Sequence, residues 1–158
     1  MSMGIEIERK FLPSSDAWRA AAHKTVAMAQ GYLNDIAMVD SGAMQASVRV
    51  RIEGDAAFLN IKSRELGARR QEFEYPIPVA DAQALLALCV GGKIEKIRHY
   101  VQHQHHLWEV DEFFGDNAGL VVAEIELSSV DETFAKPDWA GVEATHAQRY
   151  YNLALASR

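Results

Sequence analysis

The sequence predicts an α+β fold built on an antiparallel sheet, and three observations carry that prediction. Apolar and polar residues alternate over many short segments, as in "GIEIERKFL". Short turns rich in Gly, Asp and Asn separate these segments, which therefore read as hairpins. Segments with helical spacing are few and short. The result is about eight strands with three or four short helices.

Each element has its own signal. "GIEIERKFL" opens as a strand, and "PSSD" offers Ser and Asp caps for a short helix over "AWRAAAHK". "TVAMAQGYL" reads as the second strand, and "MQASVRVRIEGDAAFLNIKS" as two strands around the turn "EGD". "ARRQEFEYPIP" alternates until its prolines end it. "VADAQALLALCVGG" has helical spacing and a Gly-Gly stop. "KIEKIRHYVQ" and "HHLWEVDEFF" form the next hairpin, and "GDN" turns into the long strand "AGLVVAEIELSS". The end reads as helical over "SVDETFAK" and "THAQRYYNLALASR", around a loop holding "PDWAG".

Composition narrows the class. A chain of 158 residues with 49% hydrophobic and 24% charged residues is expected to fold as one domain, residues 1–158, without linker or repeat. The net charge of -6 argues against non-specific binding to nucleic acid or an anionic membrane. No apolar stretch approaches the roughly 20 residues of a membrane span, and no secretory signal is recognisable. The single Cys89 reads as a small buried hydrophobe, so the expectation is a reduced, cytoplasmic protein.

The polar faces of the strands are unusual. Side chains two apart on a strand share a face, and same-sign pairs recur at that spacing: Glu6/Glu8, Arg49/Arg51, Glu72/Glu74, Lys96/Arg98, Glu109/Asp111 and Glu124/Glu126. Scattered surface charge and structural ion pairs between neighbouring strands are two explanations. The third is a closed barrel with apolar faces outward and charged faces lining a wet interior, since unneutralised buried charges each lose several kcal/mol. In that barrel Lys10, Arg49, Arg51, Lys62, Arg98, Arg70 and Lys96 suit a polyanion. Glu6, Glu8, Asp111, Glu124 and Glu126 suit a hard divalent cation. Together they describe a polyphosphate site.

The motifs fit one family. "EIERKF" resembles the Glu-x-Glu-x-Lys signature of the CYTH superfamily, the triphosphate tunnel metalloenzymes, which include class IV adenylate cyclases and thiamine triphosphatases. "QGYL", "VRVR", "IKS", "RQEFE", "EKIR", "WEVDEFFGDNAGLVVAEIEL" and "QRYYNLALA" follow in the expected order, closest to short bacterial members that include inorganic tripolyphosphatases. The resemblance implies an eight-stranded antiparallel β-barrel, the triphosphate tunnel, with flanking short helices. It implies Mg²⁺ or Mn²⁺ on Glu6, Glu8, Asp111, Glu124 and Glu126. Lys10, Arg49, Arg51, Lys62 and Arg98 would bind the phosphates, with Tyr32 beside Lys10. The strand faces add Arg70 and Lys96 to this substrate-binding set, Arg149 is counted with it, and Lys10, Tyr32 and Arg51 are assigned to catalysis. One departure is Ala147–Gln148, where relatives commonly carry an acid two positions before Arg149; Thr145 can still cap the helix.

The function so implied is metal-dependent hydrolysis of a triphosphate, foremost inorganic tripolyphosphate to diphosphate and phosphate. An adenylate cyclase, a thiamine triphosphatase and a non-enzymatic polyphosphate or nucleotide binder are the alternatives. The expected partner is a small-molecule triphosphate, with no nucleic acid or membrane; an apolar barrel flank would support a homodimer. His99, His103, His105 and His106 straddle a hairpin turn and are set aside as metal ligands. Trp108, Trp139, Tyr150 and Tyr151 read as packing residues. Repulsion between Glu124 and Glu126 predicts that Glu124→Gln leaves the ligand-free fold unchanged or more stable.

Overall fold

The computed structural model describes residues 3–64 and 68–147. Its strands are β1 (Met3–Pro13), β2 (Lys24–Tyr32), β3 (Ala46–Glu53), β4 (Ala56–Ser63), β5 (Arg69–Ile77), β6 (Val90–His103), β7 (His106–Phe113), β8 (Val121–Glu126) and β9 (Ala140–Glu143). The helices are α1 (Trp18–Ala21), α2 (Ile36–Asp40) and α3 (Val79–Leu86), with a 3₁₀ turn over Gly115–Asn117. The sheet runs β5-β4-β3-β2-β6-β7-β8-β1, and β1 pairs again with β5. That last pairing closes an eight-stranded antiparallel barrel; β9 adds to the far half of β1, outside the ring.

The register sorts each strand into an inner and an outer face. On β1, Glu8 lies opposite Glu126 and Lys10 opposite Glu124, so the charged doublets share one face. The other face of β1 carries Ile7 and Phe11, which pack with Trp108, Val110, Ala123 and Ile125 of β7 and β8. Trp18 of α1 and Trp139 complete this outer core, with Phe11 and Trp108 rings 5.4 Å apart. Ala82 and Leu86 of α3 cover Val50 and Ala57 on the opposite side. The barrel is thus turned inside out relative to a soluble core, with its hydrophobic burial on the outer wall.

One end of the lumen is apolar. Tyr32, Ile94, Phe113 and Val122 are the inward residues at the same end of β2, β6, β7 and β8, and they cluster with Leu12 and Leu120. Apolar contact there excludes water from that end of an otherwise charged interior.

Local expectations fail where tertiary pairing wins. The helix expected over residues 17–24 is a single turn, and Ala17 caps it without a side-chain bond. β2 claims the rest of that segment from Lys24 by pairing with β6. The Gly91–Gly92 pair does not stop α3, which ends at Leu86; both glycines belong to the start of β6. "SVDETFAK" is a turn rather than a helix: Glu132 Oε1 accepts from both the backbone N–H and the hydroxyl of Ser128 at 2.6 Å. "PDWAG" leads into β9. Thr145 accepts from the Lys10 backbone N–H at 3.0 Å and donates to Glu143 at 2.6 Å, which ties the chain to β1. The helix expected beyond it lies outside the described residues.

Candidate active site

Alternation on each strand delivers the charged doublets to the lumen. Glu6, Glu8 and Lys10 of β1, Arg49 and Arg51 of β3, Lys96 and Arg98 of β6, Asp111 of β7 and Glu124 of β8 are all buried. Burial of this many charges is tolerable only with mutual neutralisation. Lys10 Nζ donates to Glu8 at 3.0 Å and Glu124 at 2.8 Å. Lys62 lies 3.1 Å from Glu6 and 3.6 Å from Glu72, and Arg70 lies 3.7 Å from Glu6. Asp111 takes Lys96 at 2.7 Å and a two-point fork from Arg98 at 2.8 and 2.9 Å. Cross-strand ion pairs and a charge-lined barrel therefore occur together.

The neutralisation is incomplete, and the remainder is separated in space. In a ring of eight strands, β3 and β8 are four strands apart by either route, so they face each other across the lumen. On β3, Arg51 donates to Glu53 at 2.8 Å, but its Nε has no hydrogen-bond partner among the described residues. Arg49 is 3% exposed, and its Nε and Nη2 likewise lack partners. On the opposite side, burial plus the neighbouring Glu6, Glu72, Glu109 and Glu8 carboxylates push Glu126 up to about 7. Burial and Glu124 raise Glu8 against the pull of Lys10, and burial raises Glu109 against Arg98. A wall with unmet cationic donors thus faces a wall of mutually repelling acids.

The individual groups differ. Burial would raise Glu124, but Lys10, Arg98 and Lys96 outweigh it and hold the carboxyl well below its ordinary value. This reverses the expectation for Glu124→Gln, because the repelled acid of the doublet is Glu126. Asp111 is likewise held down by Arg98 and Lys96 against burial. Lys96 is pushed down to about 8 by burial and the nearby Arg98 and Arg51, against the attraction of Asp111. Burial pushes the Tyr32 phenol up to about 12, opposed by Lys62, Arg51, Arg70 and Lys10, so its proton stays on at neutral pH.

The sequence-predicted residues that are described converge on one lumen, whereas Arg149 lies outside the described residues. The proposed carboxylates do not meet as a ready coordination shell: among the described residues no three His, Cys, Asp or Glu side chains form a metal-binding group. The outer histidines serve elsewhere, with His99 3.1 Å from Glu112 and His106 2.6 Å from Glu132. Trp108 and Trp139 pack in the outer core, and Cys89 is half-buried and free. Sequence reasoning passed over Gln30 and Asn60, which are buried in the lumen; strand parity with Tyr32 and Lys62 was the available signal.

A model of the CYTH domain matches residues 4–154, and the chain belongs to that family. An inorganic triphosphatase from Acetivibrio thermocellus is 46% identical over 154 residues, spanning 97% of this chain and 94% of that protein. An inorganic triphosphatase from Nitrosomonas europaea is 36% identical, spanning 96% of each. A crystal structure of an inorganic triphosphatase superposes with a TM-score of 0.68 at 32% identity, over 97% of this chain and 95% of that one. A protein from Hippeastrum whose structure reveals a dominant triphosphatase activity has a TM-score of 0.61 over 80% of each chain. At 20% identity it shows the shared fold alone.

Proposed function

We infer that this chain, as a single domain over residues 1–158, is a metal-dependent triphosphatase that hydrolyses inorganic tripolyphosphate to diphosphate and phosphate in its lumen. The observation that carries this reading is the pair of buried arginines with unmet guanidinium donors on β3, facing the acids of β8. The names of the Acetivibrio and Nitrosomonas relatives point the same way.

Phosphoryl transfer passes through a loose transition state, so positioning and charge neutralisation do most of the work. Arg49 and Arg51 present forked donors that match non-bridging phosphate oxygens. Lys10 is the cation for the terminal or leaving phosphate, and the neutral Tyr32 hydroxyl sets its position. Lys62, Arg70, Lys96 and Arg98 extend the positive field along the chain of phosphates; Arg149 joins them on motif grounds alone. A water oxygen bonds to the terminal phosphorus, the anhydride P–O bond breaks, diphosphate leaves with the bonding electron pair, and the water's proton passes to solvent.

The donor chemistry of the acidic wall fits Mg²⁺ or Mn²⁺. Glu8 and Glu126 are hard oxygen ligands raised by burial and by neighbouring carboxylates, a strain that a dication relieves. Glu6 and Glu124 complete the set once a ligand draws their cation partners away. Asp111, locked by Lys96 and Arg98, fits least. A bound dication supplies positive charge to phosphate oxygens and acidity to a water. Cytoplasmic location and homodimerisation through exposed outer-wall residues such as Ile5 belong to the same proposal.

Phosphate release from tripolyphosphate, ATP and thiamine triphosphate, with Mg²⁺ or Mn²⁺ and with excess EDTA, tests it. Tripolyphosphate should turn over fastest, and only with metal. Cyclic AMP from ATP would make the chain a cyclase, and binding without turnover a binding module.

A further inference from the structure

Gln30 is a lumen side chain for which neither the fold nor the chemistry above accounts. It is 0% exposed and lies between Met28 and Tyr32 on the inward face of β2. Neither its Nε2 nor its Oε1 has a hydrogen-bond partner among the described residues. Exchanging the two amide ends therefore changes nothing. A buried polar group left unpaired is costly, and a methionine of similar length would avoid that cost.

Its surroundings give the amide a use. Gln30 lies directly opposite Arg51 on β3 and opposite Ile94 on β6. Arg51 Nε and Arg49 Nε and Nη2 are also without partners. The unmet groups of β2 and β3 thus occupy adjoining inward positions on the wall that faces β8. A cation in place of Gln30 would be captured by lumen carboxylates, as Glu124 captures Lys10 at 2.8 Å. A neutral amide stays available for an anion.

We propose that Gln30 is a substrate-binding residue. With triphosphate bound, its Nε2 would donate to a non-bridging oxygen of the triphosphate that Arg49 and Arg51 hold, and its Oε1 would turn to accept from Arg51 Nε, fixing that guanidinium fork. The inference rests on the reading of the lumen as a triphosphate site.

The test compares the full-length parent with Gln30→Met and Gln30→Glu, by steady-state kinetics on tripolyphosphate with Mg²⁺ and by ligand-free melting temperature. Gln30→Met should keep or raise Tm while kcat/KM falls at least tenfold. Gln30→Glu, which aims a carboxylate at the phosphates, should lose at least a hundredfold. Parent-like kcat/KM in Gln30→Met overturns the proposal. So does a fall in Tm of several degrees that accompanies the loss, because Gln30 is then a packing residue. If the parent releases no phosphate from any triphosphate, the triphosphate reading falls first and this inference with it.

Discussion

Glu124 and Glu126 sit two residues apart on one face of β8, yet their surroundings differ in sign. Lys10 pairs with Glu124, whereas Glu126 meets Glu6, Glu72, Glu109 and Glu8. Glu124→Gln should therefore cost the ligand-free fold about 1.5–3 kcal/mol in a denaturant titration, because the buried Lys10 ammonium loses one of its two carboxylate partners and keeps Glu8. Glu126→Gln should act oppositely at pH 8. The raised Glu126 value means that the native state holds its proton more tightly than the unfolded chain, whose value is near 4.5. Its stabilising effect is full below about 4.5 and is lost as pH rises through about 7. Glu126 is desolvated only in part and the residue as a whole is exposed, so solvent screening limits the effect to about 1 kcal/mol. Melting curves from pH 4.5 to 8 without metal should show this loss in the parent and a flatter profile in Glu126→Gln. Arg51→Lys keeps the charge but not the planar fork. Its kcat/KM for tripolyphosphate should drop at least about tenfold, or about 1.4 kcal/mol of transition-state stabilisation; parent-like kinetics at low and moderate salt would remove Arg51 from the phosphate. The doublet was legible in the sequence, but the difference between its members was not. Sequence gives the face on which a residue sits, and register gives its partners.

At the level of elements, strands were easier to read than helices for a physical reason. A strand in a one-sided sheet has a period of two that its neighbours reinforce. The short segments here with helical composition had no such support. "SVDETFAK" satisfies its backbone through Glu132 and becomes a turn, while α2, unsignalled by periodicity, is capped by Asp35 accepting from Ala37 at 2.9 Å. β9 was hidden in "PDWAG" because four residues are too few to show alternation. Its closeness to β1 depends on Gly141: a Cβ there would lie 2.5 Å from the Leu12 carbonyl oxygen. Backbone cannot yield as a flexible side chain can, so Gly141→Ala should destabilise the fold by about 1–3 kcal/mol. An unchanged denaturation midpoint would mean that β9 does not pack against β1 as described.

At the scale of the whole molecule, ring closure makes the site. Charge doublets on separate strands are ordinary until β1 returns to β5; then β3 and β8 must face each other, and basic and acidic groups share one lumen. The family motifs made the barrel and most of its lining legible. Gln30 and Asn60 were missed because a neutral amide carries no sign pattern. Relief of repulsion by a dication also predicts that Mg²⁺, added to EDTA-treated protein at pH 8, raises Tm; saturation at a hundred times Kd corresponds to about 2.7 kcal/mol. The central claim is that triphosphate lies inside the barrel between these two walls. A crystal structure with bound tripolyphosphate and metal tests it most directly. Phosphate oxygens should lie about 2.7–2.9 Å from the Arg49 and Arg51 guanidiniums, with the metal between phosphate and the Glu124–Glu126 wall. Tripolyphosphate bound on the outer surface, with Arg49 and Arg51 making no phosphate contact, would contradict the account.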